Sequence, residues 1–126
     1  MQIAFDDGPT PNSPQLYDFL EANNQTATHF MIGSNILYNG DVFDRAVAMG
    51  GHIASHTWSH QFSTSLTDME ILGELGWTQQ IVYDRAGLLP AYWRPAYGDV
   101  DNRVRAIAGV VFGLWTVTWN YDSEDW

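Results

Sequence analysis

Two histidines and two aspartates are the side chains of this sequence best suited to hold a metal ion. His56 and His60 are four residues apart, and on one helical turn this spacing places two imidazoles on the same face, within reach of a single ion. Asp6 and Asp7 precede a Gly-Pro pair that forces a turn. Two imidazoles and one carboxylate, here offered by Asp7, form a common catalytic zinc set with a position open for water. A histidine pair that stands alone is more often structural, so this prediction requires the aspartates to lie nearby in the fold.

The two adjacent aspartates need not share one role, because neighbouring residues of a continuing strand point to opposite sides. One can bind the metal while the other acts as general base on the attacking water. Arg94 is the only arginine in a polar cluster, and beside a carboxylate it would keep that group ionised and oriented. The backbone N–H groups at Tyr97 and Gly98 could face a developing oxyanion. A solvated turn at the aspartates and a structural ion pair at Arg94 remain the alternatives.

These residues belong to four polar clusters, and each cluster lies at the end of a predicted strand. The clusters are residues 6–9, 56–60, 94–98 and 122–126. The carboxyl ends of parallel strands share one face of a sheet or barrel, where active sites are found. We therefore expect clusters that are distant in sequence to converge in space.

Strand-like and helix-like patterns alternate along the chain. The predicted strands are Ile3–Phe5, Ala27–Ile32, His52–Ser55, Tyr92–Arg94 and Leu114–Trp119. Four helices are predicted. The first is capped by Ser13 with Pro14 at its first position, and the second is capped by Asp41 and ended by Gly50. The third runs from a capping box at Thr67 to about Ala86, and the fourth has an apolar stripe from Val104 to Phe112. This alternation predicts an α/β fold with a parallel sheet and right-handed crossovers.

Composition excludes several functions. The 126 residues suit one domain, with no apolar run near the ~20 residues of a membrane span. The chain has no lysine and a net charge of −10, which excludes Schiff-base chemistry and argues against nucleic acid. It has no cysteine, so a thiolate site is excluded. The first residues resemble the inside of a strand and not a signal peptide, so we expect the natural N-terminus to lie upstream.

Taken in order, the four clusters resemble the motifs of carbohydrate esterase family four, the polysaccharide deacetylases with a NodB-homology domain. The aspartate pair corresponds to the first motif, His56 and His60 to the second, residues 94–98 to the third and residues 122–126 to the fourth. The similarity spans essentially the whole chain, and it looks closest to the fungal chitin deacetylases.

The resemblance implies a distorted (β/α) barrel that removes N-acetyl groups from N-acetylglucosamine polymers and releases acetate. It implies that Asp7, His56 and His60 bind one divalent ion, with Zn²⁺ expected and Co²⁺ as the alternative. Chitin or a chito-oligosaccharide is the expected partner of a monomeric enzyme, without nucleic acid or a membrane span. The expected location is extracellular or in the cell wall.

The resemblance also implies roles for five further residues. Asp6 is the base that activates the attacking water, and Arg94 pairs with Asp6 and orients it. The backbone N–H of Tyr97 shares the oxyanion with the metal. Trp126 forms a wall of the acetyl pocket, and Asp125 is the carboxylate that tunes the general acid.

Two departures from the family pattern accompany these expectations. Ala96 replaces the usual second proline of the third motif, and the leucine and histidine of the fifth motif, which supplies the general acid, have no counterpart. His29 and His52 lie at no matching position, and a structural role is expected for both. We therefore expect residues 1–126 to be a fragment of the catalytic domain that contains four motifs and lacks the C-terminal part of the barrel.

Two other functions stay open. An acetylxylan esterase of the same family would release an alcohol, which depends less on protonation than an amine does. A catalytically impaired carbohydrate-binding protein would use the same acidic, tryptophan-rich groove and would need no general base. Acetate release with and without chelator separates binding from catalysis, and matched amide and ester substrates separate the two enzymes.

Overall fold

The computed structural model describes residues 3–124, which form an open parallel sheet with helices between its strands. The strands lie in chain order: β1 (Ala4–Gly8), β2 (Thr28–Met31), β3 (His52–Ser55), β4 (Tyr92–Trp93) and β5 (Trp115–Thr116). All neighbouring pairs are parallel. The predicted α/β class is confirmed, and the sequential strand order is that of a (β/α) barrel. Within residues 3–124 the sheet contains five strands and does not close.

Five helices connect or follow these strands. They are α1 (Ser13–Ala22), α2 (Gly33–Tyr38), α3 (Gly40–Ala48), α4 (Asp68–Ala86) and α5 (Asn102–Phe112), with 3₁₀ turns at Ser63–Ser65 and Ala96–Gly98. None of the helices within the described range is both long and apolar enough to cross a membrane.

The sequence predicts both ends of α4 and the end of α5. At the start of α4, the Thr67 hydroxyl accepts from the Glu70 N–H while the Glu70 carboxylate accepts from the Thr67 N–H, which is the predicted capping box. α5 is capped by Asp101, whose carboxylate accepts from the Val104 N–H at 2.8 Å. Gly113 ends α5 in the left-handed conformation, with φ of 68°.

Two predicted helix starts are wrong. Asn12, not Ser13, is the N-cap of α1, and the Ser13 hydroxyl instead accepts from the Thr10 N–H at 2.9 Å in the preceding turn. Asp41 lies inside the first turn of α3, because that helix already begins at Gly40. An aspartate is favourable both as the N-cap and in the first turn, because its negative charge complements the positive end of the helix dipole. The residue type alone therefore does not distinguish the two positions.

The strand lengths also differ from prediction. β1 continues to Gly8, so the aspartate pair lies within the strand and not after it. β5 contains only Trp115–Thr116, and the chain beyond it is not strand up to residue 124. Among the described residues β5 is an edge strand that pairs only with β4. A short β5 is consistent with pairing on one side alone.

The core consists of two apolar clusters, and α4 contributes to both. Val82 packs into the first cluster, while Ile71 and Leu75 pack into the second. The second cluster also contains Trp93 of β4, which is fully buried. Each of these side chains contributes roughly 1.5–3 kcal/mol by burial. The second cluster therefore packs α4 against β4, the strand that directly precedes Arg94 of the third polar cluster.

Candidate metal centre and its neighbours

The two aspartates lie at an irregularity of β1. The pairing of β1 with β2 shifts register between Phe5 and Gly8, and Asp7 has a left-handed φ of 65°. The side-chain amide of Asn35 donates to the Asp7 carbonyl at 2.8 Å and supports this conformation. A bulge commonly redirects side chains next to an active site. Here both carboxylates approach one imidazole, so the expectation that adjacent residues point to opposite sides does not describe this strand end.

The second cluster, which we call the histidine loop (residues 56–60), is not a helical turn. Thr57 and His60 have left-handed φ values of 67° and 60°. The Glu74 carboxylate on α4 accepts hydrogen bonds from the backbone N–H groups of Trp58 and Ser59, at 2.8 Å each. These bonds satisfy groups that would otherwise need helical or water partners. The predicted helical turn is therefore wrong, although the two imidazoles still face each other with ring centroids 4.9 Å apart.

Asp7, His56 and His60 form a compact three-ligand group. The Asp7 Oδ1 atom lies 3.3 Å from Nε2 of His56 and 3.1 Å from Nε2 of His60. One potential ligand atom from each residue lies within 4.8 Å of the other two. A tetrahedral zinc ion with ligand bonds of about 2.0–2.1 Å separates its ligand atoms by roughly 3.3 Å. The donor types and two of the three spacings therefore fit a divalent ion.

Each imidazole has a defined environment. The Nδ1–H of the buried His56 donates to the Arg94 carbonyl at 2.7 Å, which leaves the Nε2 lone pair directed at the site. A backbone acceptor on the second ring nitrogen is the usual support for a metal-binding histidine. The ring of His60 packs edge-on against His56 on one side and Tyr97 on the other.

The ionisation of the ligands favours metal binding. A hydrogen bond from His56, together with the charges of both imidazoles, lowers the pKa of Asp7 despite the opposing effect of burial. Burial lowers the pKa of His60, and the nearby Asp7 carboxylate opposes this shift only in part. Burial therefore extends the unprotonated, metal-binding form of His60 to lower pH, whereas the shift of Asp7 belongs to the metal-free site in which the imidazoles carry the protons.

Arg94 joins the base candidate to the histidine loop. Its Nη1 atom lies 2.7 Å from Oδ1 of Asp6, and its backbone carbonyl holds His56 as described above. The guanidinium lies 4.0 Å from the ring centroid of Phe30 and 5.6 Å from that of Trp119. Such stacking is characteristic of arginine and fixes the plane of the group. The other Asp6 oxygen, Oδ2, remains 4.0 Å from Nε2 of His56.

The third cluster forms a tight turn beside the ligands. Tyr97 has a left-handed φ of 58°, which is uncommon for a residue with a bulky side chain. The N–H groups of the next two residues close the turn by donating to the carbonyls of Pro95 and Ala96. The Tyr97 ring lies 4.6 Å from that of His60. The turn therefore places this residue against a predicted metal ligand.

The structure thus brings together Asp6, Asp7, His56, His60, Arg94 and Tyr97. The predicted carboxylate Asp125 and the predicted pocket wall Trp126 lie outside the described residues. His29 and His52 lie away from the ligand group: His29 packs between Phe5 and Tyr17, and His52 shares a hydrogen bond with Thr28 at 3.1 Å.

Sequence reasoning missed three residues that support the site. They are Asn35, Glu74 and Trp119. Glu74 had one usable signal, since it is an acid only one position from the buried Leu75 on α4. Trp119 packs against Gly98 and lies near Arg94. The sequence places Trp119 at the end of a predicted strand, and that placement does not indicate which residues it contacts.

The sequential parallel sheet and the grouping of Asp7, His56 and His60 at its edge describe one class of α/β protein with a candidate metal site, and comparison with known proteins names the family. The chain belongs to the polysaccharide deacetylase family, whose family model matches residues 1–111. It is 56% identical over 127 residues to chitin deacetylase 3 of Cryptococcus neoformans, a match that covers 98% of this chain and 31% of the relative.

Solved structures show the same fold. A family 4 carbohydrate esterase from Streptomyces lividans in complex with acetate superposes with a TM-score of 0.95 at 31% identity, covering 100% of this chain and 65% of that one. The peptidoglycan deacetylase PdaC of Bacillus subtilis gives 0.92 at 32% identity, covering 99% and 60%. The chain therefore spans about a third of its curated relative and about three fifths of these structures.

Proposed function

We propose that this chain provides the metal-binding and general-base groups of a chitin N-deacetylase. The observation that carries the proposal is the position of one Asp7 oxygen 3.1 and 3.3 Å from two imidazole nitrogens, with Asp6 beside them. Asp7, His56 and His60 would hold one divalent ion, Zn²⁺ or alternatively Co²⁺. When bound, such an ion supplies Lewis-acid polarisation and a more acidic water. Residues 1–126 would form part of the catalytic domain.

Asp6 is the proposed general base. Its Oδ1 atom forms an ion pair with Nη1 of Arg94 at 2.7 Å, whereas its Oδ2 atom faces the ligand group, 4.0 Å from Nε2 of His56. The ion pair holds the orientation of the carboxylate. During hydrolysis Oδ2 would take a proton from the attacking water while the water oxygen bonds to the acetyl carbon. The carbon–nitrogen bond then breaks, and the departing amine must receive a proton.

The proposed oxyanion donor is the backbone N–H at Tyr97. The left-handed residue lies in a turn whose next two N–H groups are already used, and its ring contacts His60. A preorganised donor aimed at developing charge is worth roughly 2.7–4 kcal/mol of barrier lowering. The pocket wall Trp126 and the carboxylate Asp125 remain proposals from the family resemblance.

The proposed substrate is an N-acetylglucosamine polymer, chitin or a chito-oligosaccharide. The relative that is 56% identical bears the name chitin deacetylase, whereas a structural neighbour at 32% identity is a peptidoglycan deacetylase. The net charge of −10 suits a neutral polymer better than a polyanion. An enzyme acting on such polymers would be extracellular or in the cell wall, and we propose that it is a monomer.

An acetylxylan esterase is the second candidate. Of the four histidines, two are proposed metal ligands and two lie away from the ligand group, so none is placed to protonate an amine. An ester releases an alcohol, which tolerates this arrangement better. If the amide function is correct, another group must supply the proton.

The experiment is acetate release from chitotetraose and from acetylated xylotetraose by zinc-loaded protein. We expect release from the chito-oligomer, its loss with a chelator, and recovery on adding Zn²⁺. His60→Ala should lose this activity, and the matched variant His52→Ala, which alters a histidine away from the ligands, should keep it. Faster turnover of the xylan ester would favour the esterase. Full activity after chelation would contradict both candidates.

A further inference from the structure

An aromatic pair extends from the metal ligands to the surface. The rings of Phe62 and Tyr97 stack with centroids 4.2 Å apart and an interplanar angle of 17°. Tyr97 also contacts the ring of His60, so the stack begins at a proposed ligand. The two residues remain 53% and 58% exposed. We call Phe62 and Tyr97 the aromatic pair.

Polar contacts hold the two loops of the aromatic pair together. The Asp99 carboxylate accepts from the Thr64 N–H at 2.7 Å and from the Thr64 hydroxyl at 2.9 Å, which joins the segment after Phe62 to the turn after Tyr97. The Arg103 guanidinium on α5 donates to the carbonyls of Thr64 and Leu66. The stack is therefore fixed before any ligand arrives, which lowers the entropic cost of binding to it.

We propose that the aromatic pair binds a second pyranose ring of the substrate chain, next to the sugar that loses its acetyl group. The proposal rests on the proposed function, because it places that sugar at the metal. The C–H-rich faces of a pyranose ring pack on the electron-rich faces of aromatic rings, which also exclude water. A flat stack that touches a metal ligand is well placed to receive the neighbouring sugar of a linear polymer.

The other exposed aromatic residues between positions 3 and 124 lack this combination. Tyr38 at the end of α2 is 80% exposed, yet no ring contact joins it to the described part of the metal site. Single exposed apolar residues are ordinary on protein surfaces. The aromatic pair differs because it is stacked, anchored by Asp99 and continuous with His60.

The test is binding of chitotetraose and of N-acetylglucosamine to the zinc-loaded protein, measured by isothermal titration calorimetry. Phe62→Leu keeps an apolar side chain but removes the flat face, and Phe62→Trp keeps a flat face. We expect Phe62→Leu to weaken tetramer binding by roughly two- to tenfold, the range expected for one aromatic contact. The loss should be larger for the tetramer than for the monosaccharide, and Phe62→Trp should restore binding. Tyr38→Leu is the matched control.

The outcomes separate this inference from the proposed function. A wild-type protein that binds no chitotetraose would remove the function and the inference together. A wild type that binds it, with equal affinity in Phe62→Leu, would overturn the inference alone. Equal losses for tetramer and monosaccharide, without recovery in Phe62→Trp, would identify Phe62 as a structural residue and also overturn it. Saturation transfer from Phe62 ring protons to the sugar in the wild type provides a readout that does not depend on the variants.

Discussion

Replacing Glu74 with alanine should weaken metal binding, although Glu74 is not a ligand. Its carboxylate accepts from the N–H groups of Trp58 and Ser59 at 2.8 Å each and from the Ser59 hydroxyl at 2.5 Å. Hydrogen bonds to a charged group contribute about 1.5–3 kcal/mol each. Ser59 is exposed, so water can replace its hydrogen bonds to Glu74 and their loss should cost less. We expect a loss of about 2–4 kcal/mol in the free energy of unfolding.

The effect on the metal follows from the position of the histidine loop. Glu74 holds the segment between His56 and His60, so its removal allows the two imidazoles to separate. Loss of such supporting partners typically weakens metal affinity by roughly 10–100-fold. Zinc titration against a competing chelator measures the affinity, and urea unfolding of the metal-free protein measures the stability.

Glu70→Ala is the matched control for this prediction. Glu70 lies one helical turn earlier on α4 and accepts from the Thr67 N–H and hydroxyl, at 2.7 Å each. Its loss should cost about 0.5–2 kcal/mol, as for other helix caps. We expect it to leave zinc affinity near the wild-type value. Equal zinc affinities for Glu74→Ala and the wild type would refute the proposed coupling between Glu74 and the site.

Three further predictions follow from the site and the core. Asp6→Asn should lower turnover about 10²–10⁴-fold while zinc still binds, because the amide cannot accept the water proton; loss of zinc in this variant would mean that the roles of Asp6 and Asp7 are exchanged. Because burial lowers the pKa of His60, protons should compete with zinc for this ligand at lower pH than they would for an unperturbed histidine, and calorimetry across pH can follow the fall in zinc affinity. Burial also lowers the pKa of His29. As pH falls below about 6.5, His29 therefore becomes protonated in the unfolded chain while it stays neutral in the folded chain. Stability should therefore decrease between pH 7.5 and 5.5, and urea unfolding of His29→Leu should show a smaller decrease.

The convergence of the site was predictable because it depends on strand polarity. Asp6 and Arg94 are 88 residues apart in sequence and form an ion pair at 2.7 Å. Asp6 lies near the carboxyl end of β1 and Arg94 directly follows β4, and parallel strands present their carboxyl ends on one side. The capping box at Thr67 was equally predictable, because it requires only local residue types.

The backbone of the site was not predictable from residue types alone. The spacing of His56 and His60 indicated a helical turn, yet the loop is held by Glu74, which lies 14 residues further along the chain than His60. Similarly, α2 was missed because it has only six residues and its N-cap, Ile32, offers no side-chain hydrogen bond. Long-range partners decide such segments, and no local pattern records them.

The central claim is that Asp7, His56 and His60 bind one divalent ion, and zinc stoichiometry tests it most directly. The metal-free chain should be titrated with Zn²⁺ against a competing chelator, beside His60→Ala and the control His52→Ala. We expect one tightly bound equivalent in the wild type and in His52→Ala. In His60→Ala the affinity should fall by more than about 100-fold, beyond the range for outer partners. Tight binding of one equivalent by His60→Ala with wild-type affinity would contradict the assignment.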